Sequence, residues 1–555
     1  MILGIDLGTS NSIAAVYKDG NVHMIPVSSG GYVTPSVVNL DENGKFCVGE
    51  IAKNRKNRYP AETVDMFKRS MGSETLFTIG DMKLKAEELS AIVLKSIKID
   101  AESYLQEEIA DVVISVPAFF NNPQREAVLR AGELAGFNVK KIINEPTSAA
   151  MAYGMQCVEN NKERVIMVLD LGGGTFDISI MEVAENTMEV IAICGDNNLG
   201  GNDFTARLVE AFLESNDIAV ELIMEERSRL WAKAEKGKLA ISDNGIGEIC
   251  CEIRGNEYSY KVTEEEYEKL CFDLLDKIRR LTLRAVAESP YKPEEISDII
   301  MVGGGTKLSI VKNMIERMMD KQIEYEINPD EAVVIGAAMQ GALLEHNEEV
   351  NQLIMTDICP YYIMSITDDR RMCDLVKVPN IVINKNSTIP TRCIQKAEEY
   401  PGNYCIEIYQ SEDIHGEKKI KIGECKYIVP VVKDYTCEVV TTAYYDNNGI
   451  LKYDIYIPAV KKTYETIIVN SNNSMDKKQV AKYIDDMNKL EFTSYSEDDL
   501  VMAQAEALYA EVLDADRSKV NQLIIEYEEA LKTGKKSVIK EARDKLKAMI
   551  KKFDI

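Results

Sequence analysis

Histidine is scarce in this chain of 555 residues: His23, His346 and His415 are the only three. A zinc site built on imidazoles or a His-containing triad needs such residues brought together, and three so far apart disfavour both. The 12 cysteines include no Cys-x-x-Cys spacing, and the adjacent Cys250 and Cys251 sit in a strand-like run that reads as packing. With no secretory segment, they are expected to be reduced thiols. Basic residues are outnumbered, 65 Lys and Arg against 91 Asp and Glu, for a formal net charge of −26. Such a field repels a phosphate backbone, so no nucleic-acid partner is expected, and the acidity reads as a means to solubility. A small nucleotide is another matter, because a local pocket of backbone N–H groups and Mg²⁺ overrides the global field. No apolar run reaches the roughly 18 residues of a membrane span. The start Met1-Ile2-Leu3-Gly4-Ile5-Asp6 lacks a basic leader and meets an acid at once. A cytoplasmic protein without membrane contact is expected.

What the chain does have is alternation. Over its first two-thirds, short apolar strands alternate with amphipathic helices, the pattern of an α/β domain. Compared with itself, the chain shows one motif twice. Ile5-Asp6-Leu7-Gly8-Thr9-Ser10-Asn11-Ser12 precedes a strand at 13–17, and Leu169-Asp170-Leu171-Gly172-Gly173-Gly174-Thr175 precedes one at 178–183. Each is a strand, an Asp, a Gly/hydroxyl turn and a second strand, which predicts two related lobes, each opening with a phosphate-facing hairpin. A helix from Asp330 to Leu344 closes this domain at 346, its Gly336, Ala337 and Ala338 suited to close packing. Residues 347–357, including Leu353, Ile354 and Asp357, read as an interdomain linker with an apolar segment. From 358 to 473 short alternating strands separated by Pro401-Gly402-Asn403 and Asp446-Asn447-Asn448-Gly449 predict a β-sandwich. Residues 474–555 turn to Lys, Glu, Ala and Leu at helical period. The fold class is therefore multidomain: a two-lobed α/β domain, a β-sandwich and a short helical bundle.

A triphosphate calls for many N–H donors, a hydrated Mg²⁺ and a hydroxyl near the terminal phosphate. The two hairpins supply these, with Thr9, Ser10 and Asn11 on one side and Gly172 to Thr175 on the other. Asp6 and Asp170 would end their strands in one cleft if the lobes face each other. No Gly-x-x-x-x-Gly-Lys-Ser/Thr occurs, and each turn leads into a strand, so this is not a Walker A loop. A third glycine run, Gly303-Gly304-Gly305-Thr306-Lys307, follows the apolar strand Ile299-Ile300-Met301-Val302 and precedes a helix, a natural phosphate or nucleoside platform.

These motifs resemble the DnaK-type seventy-kilodalton heat-shock chaperones. The likeness runs through 4–12, Lys68-Arg69-Ser70-Met71-Gly72, Val116 to Arg125, Ile142-Ile143-Asn144-Glu145-Pro146-Thr147, Asp170 to Asp177, Leu199 to Phe204 and Asn328 to Ala332, covering essentially 1–345. It extends more weakly through Asp357-Ile358-Cys359-Pro360, Asn386 to Pro390 and Asp446 to Leu451. The resemblance implies an actin-like ATPase domain, a peptide-binding sandwich and an α-helical lid. It implies ATP hydrolysis to ADP and phosphate with Mg²⁺, and K⁺ as an accompanying cation. Lys68 is implied to orient the γ-phosphate and the attacking water, Glu145 and Thr175 to position that water and the terminal phosphate, and Asp6 and Asp170 to hold the Mg²⁺ shell through water. Gly8, Thr9, Ser10, Asn11, Gly172, Gly173 and Gly174 are implied phosphate binders. Gly200, Gly201, Glu235, Lys238 and Ser242 are implied to hold the nucleotide, with Gly303, Gly304, Gly305, Lys307 and Asp330 on the opposing side. Pro117 and Arg125 resemble the switch that relays nucleotide state to the linker. Ala397 and Tyr404 fall near the peptide groove. Unfolded or specific client polypeptides, a J-domain co-chaperone and a nucleotide exchange factor are the implied partners.

Each role has a plainer rival: Lys68 as a solvated surface cation, Pro117 as a strand stop, Tyr404 and Ala397 as core. The chain also departs from the family. Gly305 and Lys307 stand where many relatives have Ser and Arg, Leu239 replaces an Arg of some, and Lys141 stands at the Arg that usually meets the J-domain. Few helices follow Met475, and the chain ends Lys-Lys-Phe-Asp-Ile without an acidic Glu-Glu-Val-Asp tail. Together these resemble the short-lid HscC-type bacterial subgroup. A small-molecule kinase, a filament-former of the same superfamily and a peptide binder with a decayed ATPase are the competing readings.

Overall fold

The structure, a computed structural model, describes residues 1–158, 163–184, 187–323, 327–346, 354–368, 380–432, 436–466, 490, 492, 496–512 and 514–553. Two mixed sheets organise its first two-thirds. In the first, the hairpin Ile2–Leu7 and Asn11–Lys18 pairs antiparallel, and Asp111–Val116 lies parallel to Ile2–Leu7 on its other side. In the second, the hairpin Arg164–Leu171 and Phe176–Ala184 pairs antiparallel, and Asp298–Val302 lies parallel to Arg164–Leu171. The repeated sequence motif is thus a repeated topology. In both central strands nearly every residue is buried, as continuous Ile, Leu, Val and Met runs require of strands covered on both faces.

The helix Ala332–Leu344 packs against the first sheet and against the helix Glu145–Val158. A Cβ on Gly336 would fall 1.8 Å from the Ser148 carbonyl oxygen, and one on Gly4 would fall 2.3 Å from the Ala338 amide nitrogen. Backbone meets backbone at both points, so no larger residue fits without moving an element. The Ser148 hydroxyl donates to the Val333 carbonyl at 2.7 Å.

The second sheet continues past Thr187–Asp196 into Ile354–Ile358, which joins it in parallel with Thr187 opposite Ile354. The described part of the expected linker is therefore a strand; Leu353 lies outside the described residues. Beyond it, among the described residues, come two antiparallel sheets of four strands each. One is built from Tyr362–Asp368, Asn380–Ile383, Gly402–Ser411 and Lys419–Val429, the other from Thr391–Glu399, Cys437–Tyr445, Leu451–Ile457 and Lys462–Thr466. Along Gly402–Ser411, Tyr404, Ile406 and Ile408 are buried while Cys405 and Glu407 are half-buried, the period of two that one covered face demands. Ile363, Ile406, Ile408, Val439, Tyr453 and Ile455 join one apolar cluster shared by both sheets.

Among the described residues the chain closes with three helices, Glu497–Glu511, Asp514–Thr533 and Lys536–Lys552. Ser496 caps the first, accepting from the Asp499 amide while the Asp499 carboxylate takes the Ser496 amide. Val501, Leu508, Val520, Ile524, Tyr527, Leu546 and Ile550 form their core. Of the stretch expected to be helical from 474, residues 474–489 lie outside the described residues. The first of these helices packs on the helix Glu50–Arg55, where Arg58 pairs with Glu506. Among the described residues no helix is long and apolar enough to cross a membrane.

Candidate functional site

Both hairpin turns face one cleft of about 560 Å³. Their approach is set by glycine. A Cβ on Gly173 would lie 2.1 Å from the Ser10 hydroxyl, and one on Gly174 would lie 2.7 Å from the Thr9 methyl. The first turn is as tight, since a Cβ on Gly8 would meet the Asn11 carbonyl at 2.0 Å. The helix Gly201–Ser215 backs the second turn, its Gly201 and Asn202 amides donating to the Gly172 and Gly173 carbonyls at 2.9 and 3.0 Å.

Beneath the turns, carboxylates crowd around one ammonium group. Lys68 is 2% exposed, so the surface-cation reading fails. Its Nζ lies 2.8 Å from Glu145 Oε1, at the first residue of Glu145–Val158. Asp6 accepts from the Ser115 hydroxyl at 2.7 Å. Burial, then the neighbouring Glu145, pushes its carboxyl up to about 7 against the opposing pull of Lys68. Burial likewise holds Asp170 well above the usual carboxylate range, with Glu145, Asp177 and Asp6 adding to the shift. Asp177 stands opposite Asp170 in the hairpin register. Burial and Glu145 push it up to about 8, although it accepts from the Phe119 amide at 3.1 Å. Its Oδ2 has no hydrogen-bond partner. Asp177 had no role in the sequence reading; the only trace there is an acid between two buried apolar residues, Phe176 and Ile178.

The far wall carries the remaining expected positions. Lys238 is buried and donates to the Gly201 carbonyl, the Thr205 hydroxyl and Glu235 at 3.1, 2.9 and 2.8 Å. Ser242 accepts from the Ser309 amide at 3.4 Å. Gly303, at φ +80°, lies against Asp170, where a Cβ would come 2.7 Å from Oδ1. Gly304 and Gly305 continue that turn, and Lys307 pairs with Asp330 at 2.6 Å. Thr9, Ser10, Asn11, Thr175, Glu235 and Ser242 all line the cleft, whereas Gly174 and Gly200 do not. Leu239, Asn202 and Asp243 also line it.

The model of the family described as Hsp70 protein matches residues 2–78 and 74–555. Over 507 residues the chain is 34% identical to the chaperone protein DnaK of Thermosipho melanesiensis, covering 88% of this chain and 83% of that protein. The chaperone protein DnaK of Thermotoga petrophila is likewise 34% identical, over 508 residues, 88% of this chain and 84% of that protein. The chain belongs to the Hsp70 family. It is an ATP-dependent chaperone and an ATPase.

In this Hsp70 chain, the segment from Pro117 to Arg125 also reaches the two-sheet unit. Arg125 is buried and donates to the Phe120 and Ala118 carbonyls, to Asn144 Oδ1 at 2.6 Å and to the Asn448 carbonyl at 3.2 Å. The Phe119 carbonyl accepts from the Tyr361 hydroxyl at 2.6 Å. Asp357 accepts from Asn144 Nδ2 at 2.7 Å and from the Thr147 hydroxyl at 3.1 Å. Asn144, a residue of the Ile142–Thr147 motif, thus joins Arg125 to the strand Ile354–Ile358. Tyr404 lies in the shared core, stacked on Tyr427 with its hydroxyl on the Tyr400 carbonyl. Ala397 is exposed on Thr391–Glu399.

Proposed function

We propose that ATP binds in the cleft between the two hairpins and that its hydrolysis switches peptide affinity in the two-sheet unit. The apposition of Gly173 and Gly174 on Ser10 and Thr9, over buried carboxylates, carries this reading. Two turns of closely packed backbone offer N–H donors to a polyphosphate. The carboxyls of Asp6, Asp170 and Asp177, all raised, are short of positive charge, which suits a nucleotide arriving with a divalent cation. Among the described residues no group of three or more acids, cysteines or histidines is placed to hold a metal. Asp6 and Asp170 would hold Mg²⁺ through its water, with K⁺ accompanying the phosphates. Bound Mg²⁺ would neutralise phosphate charge. Lys68, oriented by Glu145, would direct the terminal phosphate, and Thr175 and Glu145 would orient the water. These are positioning tasks, which is most of what phosphoryl transfer asks of a protein.

The finer reading assigns the two-sheet unit to hydrophobic segments of client polypeptides, the closing helices to a short HscC-type lid, and the location to the cytoplasm. A J-domain co-chaperone and an exchange factor would set the cycle. Lys141 in place of the usual Arg, its Nζ on Gln340 at 3.0 Å, makes an unusual J-domain partner the expectation.

Single-turnover ATP hydrolysis with and without an unfolded hydrophobic peptide, on the parent and Thr175→Ala, tests the core of this. Slow hydrolysis that peptide accelerates and Thr175→Ala impairs is the expected result. Hydrolysis indifferent to peptide would separate the ATPase from the two-sheet unit and sink the coupling. The short lid predicts fast peptide release in the ADP state; release as slow as a full-lid relative's would refute that part.

A further inference from the structure

Lys68 and Arg69 are neighbours on the turn Phe67–Ser70 and serve different lobes. Lys68 stays within its own, on Glu145. Arg69 crosses to the other, where its Nε donates to the Gly174 carbonyl at 3.1 Å. Its two terminal nitrogens fork onto the Asp203 carboxylate at 3.2 and 2.5 Å. Asp203 Oδ2 also caps the helix Gly201–Ser215, taking the Gly200 amide at 2.7 Å. That helix holds the second hairpin through the Gly172 and Gly173 carbonyls. One guanidinium therefore touches the hairpin and, through Asp203, the helix behind it. Its root is one residue from Lys68. Arg69 does not line the cleft.

We propose that Arg69 is a positioning residue for ATP hydrolysis. Through Asp203 and the Gly174 carbonyl it fixes the distance between the Lys68–Glu145 pair of one lobe and Thr175 of the other. A planar fork on a carboxylate sets direction as well as distance, which a lysine in the same place does not. The tie is only partly sheltered, with side-chain exposures of 23% for Arg69 and 27% for Asp203. Its worth lies in geometry rather than in raw stability. Small displacements between reacting groups cost large factors in rate, and an untied cleft opens more readily to release product.

The inference rests on nucleotide occupying this cleft, which ADP binding by the parent tests on its own. The tie is tested in the full-length chain with Arg69→Ala, Arg69→Lys, Asp203→Asn and the double variant Arg69→Ala/Asp203→Asn. In Asp203→Asn the side-chain amide oxygen can still accept from the Gly200 amide, so that change keeps the cap while removing the carboxylate charge and one branch of the fork. Single-turnover hydrolysis at saturating ATP and release of a fluorescent ADP analogue are read for each. Arg69→Ala and Asp203→Asn are each expected to slow hydrolysis about tenfold and to speed ADP release about tenfold. The double variant should be no worse than Arg69→Ala, because both changes break one connection. Rates within about twofold of the parent, or effects that multiply in the double variant, overturn the proposal. Should Arg69→Ala fail to fold, Arg69→Lys decides by the same criteria, a threefold or larger change in both rates supporting the tie.

Discussion

Asn144 Nδ2 donates to the Asp357 carboxylate at 2.7 Å, and Asn144 is the residue immediately before Glu145. Asp357 on the strand Ile354–Ile358 and the cleft residue Glu145 are thus separated by one hydrogen bond and one peptide unit. The Asn144 carbonyl oxygen of the side chain takes Arg125 at the same time. Replacing Asn144 by Ala leaves Arg125 and Asp357 each short of a buried partner. That should cost about 1–3 kcal/mol of stability. ATP binding should persist while stimulation by peptide falls toward unity, read from ATPase rates with and without peptide. Full stimulation in Asn144→Ala would break the link.

Lys68→Met keeps the volume of the stem and removes the charge. Glu145 is then left in a buried site without its cation, and apo-protein melting should fall noticeably. Hydrolysis should drop by about a hundredfold or more, with ATP affinity changed far less, because the group acts on charge that develops during the reaction. An equal loss of affinity and rate in a binding and single-turnover assay would assign Lys68 to ground-state binding instead.

Gly173 in the second hairpin and Gly200, which caps the helix behind it, should differ in their tolerance of alanine. A Cβ at Gly173 meets the end of the Ser10 side chain, which can rotate away. At Gly200 it meets backbone, 2.4 Å from the Gly174 nitrogen. Gly200→Ala must therefore shift the second hairpin and should weaken ATP binding about tenfold or more, with Gly173→Ala the milder of the two. Titration calorimetry on both variants ranks them, and the reverse order would contradict the packing.

Glu126 gives a pH signature away from the cleft. Burial pushes its carboxyl up to about 7, against Arg130 and a hydrogen bond from Asn122 at 2.9 Å. The folded state binds this proton more tightly than the unfolded one. Its stabilisation is present below about 4.5 and is lost as pH rises through about 7, up to about 3 kcal/mol in all. Glu126→Gln should melt higher than the parent at pH 8, with the gap closing toward pH 5. A melting difference that does not vary with pH would show that the carboxyl titrates normally.

Much of the architecture was legible because it is local. Asp6 and Asp170 each close an apolar run and open a glycine turn, and alternation alone set out the two-sheet unit along Tyr404 to Ile408. What the chain could not reveal was who meets whom across long separations. Phe67-Lys68-Arg69 does not name its own partners; the fold buries Lys68 on Glu145 and sends Arg69 over the cleft to Asp203. Tyr404 shows the converse. Its position near a suspected groove is a matter of sequence, whereas its place in the core depends on Tyr427 in the neighbouring strand. Asn448 sits in a turn that announces itself as a turn, and nothing nearby hints that its side chain accepts from the Ile142 amide at 3.0 Å.

The strand Ile354–Ile358 gives the second sheet a negotiable border. Its attachment to Thr187–Asp196 is made by main-chain groups, which every residue but proline carries alike. Side chains there can drift in evolution without loosening the seam, provided Met355 keeps its apolar contacts and Asp357 its carboxylate. Were the segment to leave, the row of donors and acceptors on Thr187 to Glu189 would lose its neighbour and would have to be satisfied by water or by another extended chain. The amide protons of that short row are consequently a built-in gauge of whether Ile354–Ile358 is in place.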